Sequence, residues 1–288
     1  MATHAATDVA LPHSPLAPVV RLRAPRVRLL GATFDAVTGD EAVADVMAAV
    51  RAGRSRWVIT ANLDHLRRHH ADRAVRDLLG QADSIVADGT PIVWASRIAR
   101  CPLPERVAGS DLVWSLAAAL EAESRSLYLL GADPGVAAKA AATLQERHPD
   151  LDIVGLHSPP RGFELQPEER REITARLLAT RPDVVYVALG FPKQDHLIQE
   201  LRLLLPSTTF IGVGISLSFI AGEVVRAPAW MHTLGLEWTH RMVQDPARLV
   251  RRYLVDGIPF AARLFAGALR ARLSPAARGG SFAALDGR

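Results

Sequence analysis

The sequence predicts an α/β fold: a Rossmann-like, mostly parallel sheet flanked by helices, followed by a C-terminal α-helical appendage. Short apolar, β-branched runs such as Trp57-Val58-Ile59-Thr60 and Ser84-Ile85-Val86-Ala87 recur along the chain, each the length of a buried strand. Segments of helical periodicity lie between them, and this alternation indicates βα units on a parallel sheet. After Arg226 the strand-like runs stop, and residues 226–272 read as helices only, punctuated by Pro228, Pro246 and Pro259.

In chain order, residues 1–22 are rich in Ala, Pro and His without a usable period and read as a disordered tail. Alternation from Arg26 to Val37 suggests one or two short strands, and Asp40 is suited to cap a helix running to about Val50. Strand 57–61, helix 64–79, strand 84–87 and helix 91–99 follow, then helix 111–122, strand 126–130, helix 135–147 and strand 152–156. A loop with Pro159, Pro160 and Gly162 leads to helix 168–179, which Pro167 can start. Strand 183–189, helix 194–204 and strand 208–213 complete a core spanning 23–225. The appendage takes 226–272, and 273–288 reads as a flexible tail.

Composition bounds the function. A chain of 288 residues, 49% hydrophobic and 22% charged, can bury a sizeable core in the manner of a soluble globular protein. The net charge of +4 is carried almost wholly by Arg, with Lys only at Lys139 and Lys193, and Arg suits bidentate recognition of phosphate or carboxylate. The single cysteine, Cys101, allows no intrachain disulfide and no metal cluster, which fits a reducing cytosol. No stretch reaches the roughly 20 apolar residues that span a bilayer, and no signal peptide is expected. Any membrane contact would then be peripheral.

Ligands of open parallel sheets bind outside the carboxyl ends of the strands, so the polar residues there are the candidates. Asp88, at the end of strand 84–87, can serve as a general base, or it can make an Asx-turn with Gly89 or cap the next helix. Thr60 and Asn62 can donate and accept hydrogen bonds to a ligand at the strand's end, or Asn62 can cap the helix that follows. Arg106 can neutralise a phosphate, or pair at the surface with Glu105. Gly131 opens a turn into a helix whose N-terminal amides suit phosphate. Gln194, after Gly190-Phe191-Pro192-Lys193, can offer its amide to a ligand or be an ordinary first-turn residue. Neither Gly131-Ala132-Asp133-Pro134-Gly135 nor Gly212-Val213-Gly214 completes GxGxxG, which argues against a dinucleotide-dependent oxidoreductase.

Several separated motifs, in this order, resemble the WecG/TagA/CpsF glycosyltransferases over roughly residues 27–255. They are Thr60-Ala61-Asn62, Asp88-Gly89, Glu105-Arg106-Val107 with Gly109 and Asp111, Leu129-Leu130-Gly131 with Pro134-Gly135, Gly190-Phe191-Pro192-Lys193-Gln194, and Arg226-Ala227-Pro228 through Gly235-Leu236-Glu237-Trp238 to Arg241. The resemblance implies inverting, metal-independent transfer of a sugar, typically of N-acetylmannosamine type, from a UDP-sugar to a polyprenyl-diphosphate-linked sugar at the cytoplasmic membrane face. It implies that Asp88 is the base, and that Thr60, Asn62, Arg106, Gly131, Gly190 and Gln194 contact substrate. No cofactor is expected. The chain departs from the family pattern at Pro91, which alters the local loop, at Asp195, a shorter carboxylate than the family's Glu, and at His157-Ser158-Pro159 and Leu217-Ser218, which bear on the donor's identity.

The appendage carries eight Arg against Glu237, Asp245 and Asp256. Asp245 and Pro246 suit an N-cap and N1 pair. At about 100° per residue, Arg248, Arg251 and Arg252 share one helix face opposite Leu249, Val250, Tyr253 and Leu254. With Arg226 and Arg241 they form either a diphosphate cradle or a solvated face, and the resemblance favours the cradle, closing over the site at the membrane. Residues 257–272 can lie in the membrane interface or pack on the core. His65 and His69 have i, i+4 spacing but lack the H-E-x-x-H pattern, so they read as exposed helix histidines rather than metal ligands. The rival reading is a non-catalytic nucleotide-sugar sensor docked on the membrane. Nucleic-acid binding is not expected, and self-association through apolar surface under a mobile appendage is left open.

Overall fold

The computed structural model describes residues 25–228, 231 and 236–273, the side chain of Arg248 excepted. The predicted tails, apart from Leu273, lie outside this range, as do Trp230 and Gly235. Strands β1 (Arg26–Leu29) and β2 (Ala32–Asp35) form an antiparallel hairpin. Six strands, β3 (Arg56–Ala61), β4 (Ser84–Ala87), β5 (Ser126–Gly131), β6 (Asp152–His157), β7 (Val184–Ala188) and β8 (Thr209–Gly212), make one sheet in the order β4-β3-β8-β7-β5-β6, every pair parallel.

The continuous apolar strand sequences follow from burial on both faces. Along β7, Val185 and Val187 enter one apolar cluster while Val184 and Tyr186 enter the other; Tyr128 and Leu130 alternate with Leu127 and Leu129 in β5. The first cluster is closed by α2 (Leu63–Ala71), α3 (Arg73–Leu79), α4 (Thr90–Ile98), α7 (Pro167–Thr180) and α8 (Lys193–Leu204), the second by α1 (Gly39–Arg51), α5 (Gly109–Ala122), α6 (Val136–Arg147) and α9 (Ser216–Ile220). The protein is thus a mixed α/β fold with helices on both faces of a parallel sheet.

Local chemistry explains most element limits. Thr38, rather than Asp40, caps α1, in a capping box with Glu41. The single helix expected over 64–79 is two, because Asp72 leaves helical geometry and accepts the Ala74 amide at 2.8 Å. Gly131 ends β5 at φ +111°, where a Cβ would lie 2.5 Å from the Ala188 carbonyl oxygen, so only glycine fits.

The C-terminal region contains α10 (Glu237–Gln244), α11 (Pro246–Val250), a π-helical turn (Arg251–Gly257) and α12 (Ile258–Leu273). Asp245 and Pro246 take the N-cap and N1 places of α11 as expected, but Asp245 makes no capping bond through its side chain. Phe260, Leu264 and Ala268 of α12 are buried in the same cluster as Val27 and Leu29 of the hairpin, so one face of 257–272 packs on the core. Ile258, Leu269 and Leu273 stay exposed. Among the described residues no helix is long and apolar enough to cross a membrane.

Candidate active site

The carboxyl ends of β3, β4 and β8 converge where β3 lies beside its sequence-distant neighbour β8. Asp88 follows β4 directly, and its amide donates to the Ala61 carbonyl at 2.9 Å, which sets it against the end of β3. It caps no helix of its own: the N-cap of α4 is Gly89, without a side-chain bond. Its Oδ2 instead accepts the Gly109 amide at 3.2 Å, from the first turn of α5. Burial pushes the Asp88 carboxyl up to about 6; Arg106, the Gly109 amide and Arg241 oppose this, and Glu237 reinforces it. A carboxylate so poised is mostly ionised at neutral pH yet basic enough to accept a proton.

Arg106 does not pair with its neighbour Glu105, which accepts the Gly39 amide at 2.6 Å. Its guanidinium is 20% exposed, with Nη1 donating to Glu237 Oε2 at 2.8 Å and Nη2 3.8 Å from Asp111 Oδ2. Asp111 Oδ1 in turn accepts from Arg226 Nη2 at 2.6 Å. Arg241 lies over the Phe219 ring, 5.9 Å from its centroid. Charges of alternating sign therefore run from Asp88 through Arg106 to Glu237, and on through Asp111 to Arg226. They join the core to the C-terminal region. In the sequence Asp111 stands out only as a motif member, and Glu237 only as a motif member and one of the appendage's three acids. The available signal was Glu237 at i, i+4 from Arg241, which puts both on one helix face.

Thr60 is buried, donating its hydroxyl to the Gly212 carbonyl at 2.9 Å and lying against Gly109. Asn62 caps α2, its Oδ1 accepting from Asp64 and His65 amides at 3.0 and 3.4 Å. Gln194 is 3% exposed; Oε1 accepts the Gly190 amide at 3.2 Å, and a Cβ on Gly212 would meet Nε2 at 2.5 Å. These contacts lock the ends of β3, β7 and β8 together. Gly131 sits farther along the edge, at β5, with Ser158 donating to its carbonyl at 3.1 Å. The first turn of α6, after left-handed Gly135, has no side-chain cap.

One expectation needs correction. His65 and His69 are buried, not exposed: His65 stacks on Phe191 with centroids 4.2 Å apart and sits 3.0 Å from Asn62 Oδ1, and burial lowers it to about 4, so it is neutral at pH 7. The face expected to carry Arg248, Arg251 and Arg252 runs into a turn that winds, from Arg251, as a π-helix, with fewer degrees per residue than the 100° assumed. Arg252 turns to Asp64 Oδ2 at 3.5 Å, Arg251 is exposed, and the Arg248 side chain lies outside the described residues. Asp64 also holds Arg67 and Arg68; burial opposes its ionisation, but the arginines prevail and keep it below the usual carboxylate range.

The sequence profile of the glycosyl transferase WecG/TagA/CpsF family matches residues 27–274. The N-acetylglucosaminyldiphosphoundecaprenol N-acetyl-beta-D-mannosaminyltransferase of Staphylococcus aureus (strain MW2) is 31% identical over 228 residues, covering 78% of this chain and 87% of its own length. The enzyme of the same name from Bacillus spizizenii (strain ATCC 23059 / NRRL B-14472 / W23) is 30% identical over 195 residues, covering 68% of this chain and 74% of its own. With a profile spanning nearly the whole described fold and relatives at 30 and 31% identity, the chain belongs to the WecG/TagA/CpsF family of glycosyltransferases.

Proposed function

We propose that the protein is an inverting, metal-independent hexosyl- or N-acetylhexosaminyltransferase. It moves a sugar of N-acetylmannosamine type or a related hexose from a UDP-sugar to a polyprenyl-diphosphate-linked sugar in surface-polysaccharide or teichoic-acid-type biosynthesis. The observation that carries this reading is Asp88: a carboxylate at a strand's carboxyl end, steadied by the Gly109 amide and raised to about 6. Asp88 takes the proton from the acceptor hydroxyl as its oxygen attacks the anomeric carbon, and the UDP oxygen departs from the opposite face.

Arg106, Arg226 and Arg241 supply positive charge for the departing diphosphate, together with amides at helix N-termini such as that of α6. Thr60, Asn62, Gly190 and Gln194 shape the pocket that orients the sugar and the uracil. In this reading residues 23–225 are a Rossmann-like catalytic core, and 226–272 close it at the inner face of the cytoplasmic membrane. Exposed Val250, Leu254, Val255 and Ile258 beside exposed Arg251 support that contact.

The test is UDP release from a panel of UDP-sugars with a short-chain polyprenyl-diphosphate-GlcNAc acceptor, in the presence of EDTA. Acceptor-dependent release is expected, with Asp88→Asn slower by about 100- to 10,000-fold. Because the base acts ionised, kcat/KM rises with pH through about 6 and falls about tenfold per unit below it. Equal release by Asp88→Asn would remove the base assignment, and UDP binding without release from any donor would favour the sensor reading.

A further inference from the structure

Glu237 opens α10, and Arg241 lies one turn later on the same face. Both bear on Asp88. Among the described residues, the charged groups facing that carboxylate are Arg106 from the loop before α5 and Glu237 and Arg241 from α10, with the Gly109 amide as hydrogen-bond donor. Asp111 lies beyond Arg106, 3.8 Å from its Nη2. Arg106 is thus placed between carboxylates, and its short bond, at 2.8 Å, is to Glu237, which is itself only 17% exposed. A guanidinium committed to Asp88 alone would stabilise the anion and make it a weak base. A second carboxylate that engages the same guanidinium works against that.

We propose that Glu237 is a positioning residue for the transfer: carried in by the C-terminal region, it holds Arg106 in place and tempers that arginine's grip on Asp88. Docking of the region and readiness of the base are then one event. With α10 away, Arg106 turns to Asp88 and the base is weakened; with α10 seated, Arg106 is held by Glu237 and Asp88 keeps its proton affinity. This rests on the reading of Asp88 as base.

The experiment uses the full chain and the variants Glu237→Gln, Glu237→Asp and Asp88→Asn, with circular dichroism to establish folding. The Asp88 carboxyl is titrated by carbon NMR with labelled aspartate, Asp88→Asn identifying its signal, and the pH profile of kcat/KM is recorded in parallel. Glu237→Gln is expected to move both the Asp88 titration and the acid limb of the profile to lower pH. Glu237→Asp, which keeps the charge on a shorter arm, restores part of the shift. A Glu237→Gln titration at the wild-type position, even with activity reduced, would overturn the proposal and leave only a structural clamp. A shifted titration beside full activity in Asp88→Asn would instead keep the coupling and dismiss the base.

Discussion

At the scale of single residues, the side chain most at odds with its surroundings is Asp195. It is 0% exposed in the first turn of α8, and among the described residues neither carboxylate oxygen has a partner in good hydrogen-bond geometry, its own amide and the Gln194 side chain lying near but poorly aligned. Burial pushes its carboxyl up to about 7; its own amide and the adjacent Gln194 side chain oppose this. The folded pKa lies above the unfolded one, so the contribution to stability is fully present below about 4 and is lost as pH rises through 7. Asp195→Asn, which resembles the protonated form, is expected to raise Tm at pH 8 by an amount that disappears near pH 4. At about 1.4 kcal/mol per pKa unit, the gain is on the order of a few kcal/mol. A Tm difference independent of pH, measured by calorimetry, would contradict the neutral form. Asp195 was visible in the sequence as a shorter carboxylate than the family pattern carries; that it is buried was not.

At the scale of elements, the strands were legible because a sheet buried on both faces demands unbroken apolar runs, as at Val184–Val187. Helix ends depend on single hydrogen bonds and were less legible. The break at Asp72 is the example: the apolar period continues from Leu66 to Leu79, yet the Asp72 side chain starts a second helix. Asp72→Ala is expected to cost about 1 kcal/mol of stability, read from urea denaturation. The π-helical turn at Arg251–Gly257 lay beyond periodicity altogether, since a wheel drawn for an α-helix assumes the winding it is meant to test.

At the scale of the molecule, the C-terminal region is tied to the core in two ways. Phe260 and Leu264 are buried beside the β1–β2 hairpin, each worth about 1.5–3 kcal/mol. Glu237 and Arg241 reach the surroundings of Asp88. A chain ending at residue 225 is therefore expected to unfold at lower temperature and to lose acceptor-dependent transfer. On the proposed membrane contact, the full chain is expected to sediment with anionic lipid vesicles and the shortened chain to stay in the supernatant. Wild-type stability and turnover in the shortened chain would show the region to be dispensable.

The amino-acid sequence by itself determined the α/β class, the order of the strands along the chain and the polar residues at their carboxyl ends. Each follows from local periodicity or from residue type. Asp88, Thr60, Asn62 and Arg106 could be named from it, but not their partners. Only the tertiary structure decided that Asp88 meets the amide of Gly109, that Arg106 passes over its neighbour Glu105 for Glu237, 131 residues away, and that His65 and His69 are buried. Pairings at that separation depend on which strands lie side by side and on how the last helices seat. Burial and opposite charge select them, and neither can be evaluated until the chain has folded back on itself.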